Sequence, residues 1–279
     1  MIVRKMNIDD IDFALSLTSG EGWSDIRSDF ENLISYSPTA VFVGEKHGRR
    51  VGMVSAVSYG MLGFIGSLIV VRDCRNKGHG TSFMKHAIGH LRGLGVKTLM
   101  LDAVEAAIPV YRKLGFSTVC RSLRMKGVVE ARRTDNVRPM TRRDLSTVLV
   151  IDRAHFGADR SHFLKRTWAL FPEFCKTLCI GKTVQGYVMG SPRNDFIRVA
   201  PWIVNEGVHR GEDLLGELAA QSGGKALRMG VLERDSTTVE LLNTLGFEEV
   251  SSSYRMVQGD PAVAGLSQGI HAIGSPAKG

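Results

Sequence analysis

Residues 68–83 read LIVVRDCRNKGHGTSF, and this stretch decides how we interpret the first half of the chain. An apolar run breaks into a basic turn with Gly78 and Gly80, and the turn opens into an amphipathic segment. The pattern predicts a strand, an anion-binding loop and a helix. The first N–H groups of a helix lack intrahelical partners and carry partial positive charge, so they favour phosphate. Glycine removes the Cβ atoms that would block close approach, and Arg75 and Lys77 add charge.

Length and charge narrow the class of protein. The 279 residues, 43% of them hydrophobic, supply ample core material, and two domains of ordinary size are the better expectation. The formal net charge of +8 raises a nucleic-acid hypothesis, because excess Lys and Arg neutralise phosphates. The basic residues occur singly or in pairs and form no run. A basic solvated surface is therefore expected, and nucleic acid is not the expected partner.

The cysteines and apolar runs indicate the compartment. Four scattered cysteines are too few for a disulfide scaffold or a tetrahedral zinc site, so we expect no metal and a reducing, cytoplasmic setting. The first residues lack the apolar core and cleavage pattern of a signal peptide. The most apolar run, residues 61–71, contains Gly63 and Gly66 and is too short to span a membrane.

Hydrophobic periodicity and turn residues predict the order of elements in the first half. Residues 83–94 carry a helical apolar stripe after the glycine loop, and Gly95 ends that helix. The expected elements are a strand at 2–5, helices near 11–17 and 26–34, a hairpin at 40–46 and 50–59, strands at 63–71 and 98–104, a short helix at 106–114 and a strand at 116–125.

The chain repeats itself. Residues 2–15, IVRKMNIDDIDFAL, resemble residues 136–149, NVRPMTRRDLSTVL, and the triplet LGF occurs at 114–116 and again at 245–247. Because both the beginning and the end recur in order, we predict two copies of one fold. The expected domains are residues 1–130 and residues 135–279, the second ending in a tail rich in Gly, Ala and Ser, in which residues 270–273 could pack as a short strand.

The element order, RNKGHG at 75–80 and YRKLGF at 111–116 together resemble the GNAT superfamily of acyl-CoA N-acyltransferases. That family shares an R/Q-x-x-G-x-G/A loop after the fourth strand, which binds the coenzyme A pyrophosphate. In the second half, HFGADRSHFL, GYVMG and RVAPWIV resemble the YitH-type tandem acetyltransferases. The resemblance implies an α+β fold in α/β/α layers, with two tandem domains that each contain a mixed, mostly antiparallel sheet flanked by helices.

The resemblance also implies the ligands. We expect acetyl-CoA as co-substrate, a small-molecule amine as acceptor, direct transfer in a ternary complex, and a homodimer among the possible assemblies. The pantetheine arm would pair with the backbone of the strand end, and the pyrophosphate would bind the loop. The expected coenzyme contacts are Leu68, Ile69, Val70, Arg75, Asn76, Lys77, Gly78, His79, Gly80 and Thr81.

The family tyrosine of the second motif corresponds to Tyr111, which the resemblance implies as the general acid that protonates the departing thiolate. The competing interpretation is a packed helix tyrosine. Family members often place a carboxylate base on the fourth strand, but residues 63–71 contain no acid. Asp102 and Glu105 are the nearest candidates, and their alternative role is to cap the next helix.

The second copy departs from the motif. EGVHRG at 206–211 stands where RNKGHG stands in the first half, and Leu242 stands where Tyr111 does. An acid at the loop would repel the pyrophosphate, so we expect the second half to lack a coenzyme site and to shape the acceptor pocket, mediate dimerisation or bind another molecule. Asp159 and Arg160 are expected to form a structural salt bridge. A non-catalytic acyl-CoA sensor and, less favoured, a ribosome-associated or nucleic-acid protein remain as alternatives.

Overall fold

The computed structural model describes residues 1–36, 40–234, 236–263 and 267–279. The first half follows the order that the sequence predicts. Its elements are β1 (Ile2–Lys5), α1 (Ile11–Gly20), α2 (Arg27–Ser35), β2 (Ala40–Lys46), β3 (Arg49–Tyr59), β4 (Leu62–Val70), α3 (His79–Gly93), β5 (Thr98–Ala103), α4 (Ile108–Lys113) and β6 (Ser117–Gly127).

The second half repeats this order and adds one short strand. Its elements are β7 (Val137–Pro139), α5 (Asp144–Phe156), α6 (Ser161–Leu170), β8 (Cys175–Ile180), β9 (Thr183–Pro192), β10 (Phe196–Val204), α7 (Asp213–Ala219), β11 (Ala226–Glu233), α8 (Thr237–Thr244), β12 (Glu248–Gln258) and β13 (Ile270–Ala272). The expectation that residues 270–273 pack as a strand is confirmed.

The strands of the described residues form one 13-stranded sheet in the order β1-β2-β3-β4-β5-β12-β6-β11-β10-β9-β8-β7, with β13 beside β10. Its neighbouring pairs are antiparallel except β4 with β5 and β10 with β11, which are parallel. Helices α3 and α4 pack on one face of the first half, and α1, α2 and part of α6 pack on the other. The α+β fold with a mostly antiparallel sheet flanked by helices is confirmed.

The last strand of each half completes the sheet of the other half. Strand β12 pairs with β5, so Arg255 lies opposite Asp102 and Tyr254 lies opposite Ala103. Strand β6 pairs with β11, so Met125 lies opposite Met229. The two exchanged strands also pair with each other at the centre. The halves therefore share a continuous sheet, and the domain bounds at 130 and 135 stay a prediction.

The repeat in the sequence corresponds to a repeated turn at the start of each half. In the first copy, Arg4 donates to Asp10 at 2.7 Å, and Asp10 accepts the backbone N–H of Asn7 at 3.0 Å. In the second copy, Arg138 donates to Asp144 at 2.7 Å, and Asp144 accepts the N–H of Thr141 at 2.8 Å. The hydrogen-bonded arginine lowers the pKa of the carboxyl in both copies.

The end of the repeat is equally well preserved. The N–H of Phe116 donates to the carbonyl of Tyr111 at 3.1 Å, and the N–H of Phe247 donates to the carbonyl of Leu242 at 2.9 Å. Each bond closes the turn between a short helix and the following exchanged strand. The correspondence of Tyr111 with Leu242, predicted from the LGF triplets, is therefore confirmed.

Helix α3 lies close to the sheet because two strand glycines leave room for its aromatic side chain. A Cβ on Gly44 would come within 2.5 Å of the Phe83 ring, and one on Gly52 within 3.0 Å of it. Phe83 is fully buried there. This packing sets the height of α3 above the sheet and so places its first turn beside the end of β4.

Candidate active site

Strands β4 and β5 separate beyond their first residues. Their pairing covers Leu62–Phe64 and Thr98–Met100, after which β4 continues along β3 while β5 continues along β12. A bulge lies at the point of separation, where Ser67 has a φ of 47° and the register with β3 shifts. Bulges bend a strand and re-aim its edge. The space between the two strand ends, which we call the β4–β5 gap, lies along residues 65–70.

The glycine loop connects the end of β4 to α3. Asn76 has a φ of 60° and Gly78 a φ of 79°, the left-handed region in which a side chain is strained. A Cβ on Gly80 would meet open space. The hydrogen bond from Ser82 N to Gly78 O begins the helix, so the N–H groups of residues 79–81 precede the hydrogen-bonded ladder. The loop thus has the geometry of an anion site at the amino terminus of a 15-residue helix.

The two loop cations also stabilise the loop itself. Arg75 donates to the carbonyl of Val70 at 2.9 Å and forms an ion pair with Glu21 of the segment after α1. Lys77 donates to the carbonyl of Asp73 at 2.8 Å. Both side chains are exposed and remain next to the helix amino terminus. In the described residues the buried Nε2 of His79 has no hydrogen-bond partner, so this loop histidine can still accept or donate a bond.

Tyr111 lies in the apolar cluster that also contacts Leu68 and Val70 at the β4 edge. It is 8% exposed and packs against Phe116 with ring centroids 6.3 Å apart. Burial raises the pKa of Tyr111 to about 12. The hydroxyl is therefore protonated at neutral pH, and its ring shares an apolar cluster with the β4 residues to which the family resemblance assigns the pantetheine arm.

The two candidate bases lie in contrasting surroundings. The Asp102 side chain is almost fully buried and accepts hydrogen bonds from Arg255 at 2.5 Å, Ser122 at 3.0 Å and Arg124 at 3.4 Å. These contacts favour a structural role at the junction of β5, β6 and β12, and a catalytic role stays a prediction. Glu105 is exposed in the short turn that precedes α4.

The corresponding gap in the second half is filled by the chain itself. Strands β10 and β11 pair only at Phe196–Val199 and Ala226–Met229, and then diverge. Strand β13 occupies the space, with Ala272 opposite Trp202 and the N–H of Ile273 donating to the carbonyl of Gly230 at 2.9 Å. Leu242 is fully buried in the core. The position of a pantetheine arm is thus taken by protein, which supports the expected loss of the second coenzyme site.

A cavity lies between the two halves, on the sheet face opposite α3. It has a volume of about 40 Å³, and we call it the interdomain cavity. Arg160 lies in its wall and pairs with Asp152 at 2.8 Å, while Asp159 accepts the N–H of Ser161. The expected salt bridge between Asp159 and Arg160 is therefore wrong. Asp159 accepts a backbone hydrogen bond at the start of α6, and Arg160 pairs with Asp152 of α5.

The sequence did not indicate the charged residues of this cavity. Helix α2 begins at Arg27, and Asp29 in its first turn accepts the N–H of Ile26 at 3.0 Å. Asp25 and Asp29 also contact Arg198, each at 3.4 Å. The partners lie more than 160 residues apart. No local spacing could have paired them.

In the part of the chain that the structure describes, no group of three or more His, Cys, Asp or Glu side chains is arranged to hold a metal ion. Among those same residues, no helix is both long enough and apolar enough to cross a bilayer.

Comparison with known proteins identifies the family. Residues 9–116 match the Acetyltransferase (GNAT) family, and residues 148–272 match an Acetyltransferase (GNAT) domain. The chain therefore belongs to the GNAT acyltransferases and carries two GNAT domains in tandem. No curated protein matches the chain.

Solved structures share the fold across nearly the whole chain. A candidate acetyltransferase from Pyrococcus horikoshii is 22% identical with a TM-score of 0.83, covering 100% of this chain and 95% of that one. A GCN5-related N-acetyltransferase from Sphaerobacter thermophilus is 12% identical with a TM-score of 0.66, covering 98% and 96%. A tandem GNAT protein from the clavulanic acid biosynthesis pathway is 11% identical with a TM-score of 0.61, covering 92% and 97%.

Proposed function

We propose that this protein is an N-acetyltransferase that transfers the acetyl group of acetyl-CoA to the primary amine of a small molecule, directly and within a ternary complex. The observation that carries the proposal is the β4–β5 gap next to the glycine loop, with the buried Tyr111 in the apolar cluster against which Leu68 and Val70 pack. In this proposal the glycine loop binds the pyrophosphate of coenzyme A, the β4 edge binds its amides, and the Tyr111 hydroxyl serves its sulfur.

Each part of the proposed site has one role in coenzyme binding or in proton transfer. The N–H groups of residues 79–81 bind the pyrophosphate, and the edge of β4 at Leu68–Val70 pairs with the pantetheine amides. The coenzyme supplies an activated acyl thioester. As the amine nitrogen bonds to the acyl carbon and the carbon–sulfur bond breaks, Tyr111 donates its proton to the departing sulfur. The proton lost by the amine passes to a base, for which Glu105 and Asp102 remain the candidates.

The site belongs to the first half. In the second half β13 fills the equivalent gap, so that half is available to shape the acceptor pocket. The four cysteines are free thiols, which fits a reducing cytoplasm. Monomers and homodimers are both compatible with this proposal, since the site lies within one chain.

An acceptor screen tests the proposed activity. The full chain is incubated with acetyl-CoA and polyamines, amino acids, amino sugars or peptides, and free thiol release is followed. We expect at least one class of amine to accelerate thiol release well above hydrolysis, with the acetylated amine found by mass spectrometry.

One observation favours a second function. The arginine contacts of Asp102 leave the base unassigned, which is what a non-catalytic acyl-CoA sensor would also show. If acetyl-CoA binds but no amine is acetylated in the screen, the sensor is the better account and the enzyme proposal fails.

A further inference from the structure

The segment that follows β13 returns to the first half of the chain. Strand β13 ends at Ala272 in the gap of the second half, and the backbone of Ala277 lies against Gly66, the residue before the bulge of β4. The contact is so close that a Cβ on Gly66 would collide with the Ala277 carbonyl. We call residues 274–279 the strap. One continuous piece of chain thus fills the gap of the second half and covers β4 of the first.

The strap lies on the face of the sheet opposite α3. On β4, Phe64 belongs to the apolar cluster formed with α1 and α2, whereas Ile65 belongs to the cluster formed with α3. Gly66 faces the same side as Phe64, because the residues of a strand alternate between its two faces. The strap meets this side again at Gly279, where a Cβ would come within 2.8 Å of Phe156 and 3.3 Å of Phe64.

The strap covers the side from which an amine can reach the acyl group. Helices α3 and α4 close the other face through the apolar cluster that contains Tyr111. With the pantetheine arm in the β4–β5 gap, the amine has to approach from the side that these helices leave free. The interdomain cavity beside the strap has a volume of about 40 Å³, enough for a few water molecules. An amine with several carbon atoms does not fit there while the strap is in place.

Two side chains hold the strap by its backbone carbonyls. The Tyr59 hydroxyl donates to the carbonyl of Lys278 at 2.6 Å, and Arg160 donates to the carbonyl of Gly279 at 2.9 Å. The backbone of the strap also bonds to itself, with the N–H of Ser275 and the carbonyl of Gly279 2.9 Å apart. The strap is not a strand of the sheet, whereas β13 pairs with β10. A small number of contacts therefore decides whether the strap stays in place.

The composition of the strap makes its displacement inexpensive. Its sequence is GSPAKG, and these small side chains bury little apolar surface. The half-buried Lys278 holds its ammonium group 4.9 Å from the centre of the Phe163 ring. Burial lowers the pKa of Lys278, so its charged form is less stable in this place than in water. Segments with few apolar contacts open locally without unfolding the rest of a protein.

We propose that the strap is a gate on the acceptor side of β4: in place it closes that side, and the acceptor amine binds only when the strap is displaced. The inference rests on the proposed function, because it treats the β4–β5 gap as the place of the acyl group. The glycine loop lies outside the strap, so the coenzyme does not need the displacement. The apparent affinity for the amine is then reduced by the fraction of chains in which the strap is open.

Hydrogen exchange tests the gate without any ligand. Tyr59→Phe keeps the ring and removes the hydrogen bond to Lys278, so the backbone amides of the strap should exchange about two- to tenfold faster, as measured by mass spectrometry. Tyr36→Phe is the matched control, because the Tyr36 hydroxyl donates to the carbonyl of Ser58 at 3.0 Å, away from the strap. It should leave the exchange of the strap unchanged. The peptide that contains β13 is the internal reference.

The kinetics of the same variants test what the gate controls. Thiol release is measured with the amine that reacts fastest in the acceptor screen. Because Tyr59→Phe raises the open fraction, the KM for this amine should fall about two- to tenfold, while kcat and the affinity for acetyl-CoA stay at their wild-type values. Tyr36→Phe should change none of these quantities. An unchanged or higher KM in Tyr59→Phe overturns the inference.

The response to each ligand separates a gate from a wall of the acceptor pocket. In the wild-type protein, a saturating concentration of the same amine, without coenzyme, should accelerate the exchange of the strap, and acetyl-CoA alone should not. An amine that slows the exchange would show that the strap closes over the acceptor, which overturns the inference. So would strap amides that exchange as slowly as those of β13 and do not respond to Tyr59→Phe. If the strap responds to Tyr59→Phe but no amine is acetylated, the movable strap stands and the proposed transferase fails.

Discussion

Replacing Tyr111 with phenylalanine is expected to lower kcat about 10²- to 10⁴-fold, the usual contribution of a positioned general acid. The ring stays buried and keeps its contact with Phe116, so the fold and the coenzyme affinity should hardly change. The measurement is kcat from thiol release, with acetyl-CoA affinity from calorimetry. The matched control is Tyr254→Phe, a partly buried tyrosine on β12 that packs against the same cluster.

The pH profile gives a second check on Tyr111. Because burial raises its pKa to about 12, the hydroxyl stays protonated as pH rises through the neutral and mildly alkaline range. Deprotonation of Tyr111 should therefore not reduce the kcat of the wild-type protein at any pH below about 11.

An unaltered kcat in Tyr111→Phe would remove the residue from the mechanism and leave it as a packed helix tyrosine.

Replacing Arg255 with methionine is expected to lower the free energy of unfolding by about 3–5 kcal/mol, because it leaves Asp102 buried without its closest cation. Arg255 is 2% exposed, and its Nε lies 2.5 Å from the Asp102 carboxylate. Since Arg255 comes from the second half and Asp102 from the first, the pair also tests the strand exchange. The measurement is urea unfolding, with the free energy extrapolated to water.

Two further variants make the Arg255 result specific. Arg121→Met removes an arginine from the neighbouring strand whose partners, Glu233 and Glu249, are half-exposed, so it should cost no more than about 1 kcal/mol. In the double variant Asp102→Asn with Arg255→Met, part of the stability should return because the buried carboxylate that lost its closest cation is gone, while Arg124, 15% exposed, still loses its weaker partner. If Arg255→Met is as stable as Arg121→Met, the buried pair does not hold the exchanged strands.

The glycine loop and the repeat were predictable because both rest on local patterns. The strand, the glycines at 78 and 80 and the helix lie within one short stretch of sequence. The first turn and the LGF triplet each occur once in each half, at corresponding positions. Backbone preference and hydrophobic periodicity decide such elements without help from distant residues.

The strand exchange was not predictable from the same patterns. Strands β6 and β12 come from corresponding positions of the repeat, so either strand could complete the sheet of either half. The alternation of apolar and polar residues along the two strands does not select which half each one joins. For the same reason Asp102 looked like a free carboxylate near the active site, although its cation lies 153 residues away on the exchanged strand. The charged cavity is similarly assembled from separate elements of both halves.

The central claim is that each chain has one coenzyme site, built on the glycine loop of the first half, and a calorimetric titration of acetyl-CoA tests it most directly. Gly80→Glu places an acid in open space at the first turn of α3, where it suits the helix dipole but repels a pyrophosphate. Gly89→Glu, exposed later in the same helix, is the matched control. The account predicts one acetyl-CoA per chain at sub-millimolar concentration, lost in Gly80→Glu and kept in Gly89→Glu. Two sites per chain, no binding to the wild-type protein, or undiminished binding to Gly80→Glu would contradict it.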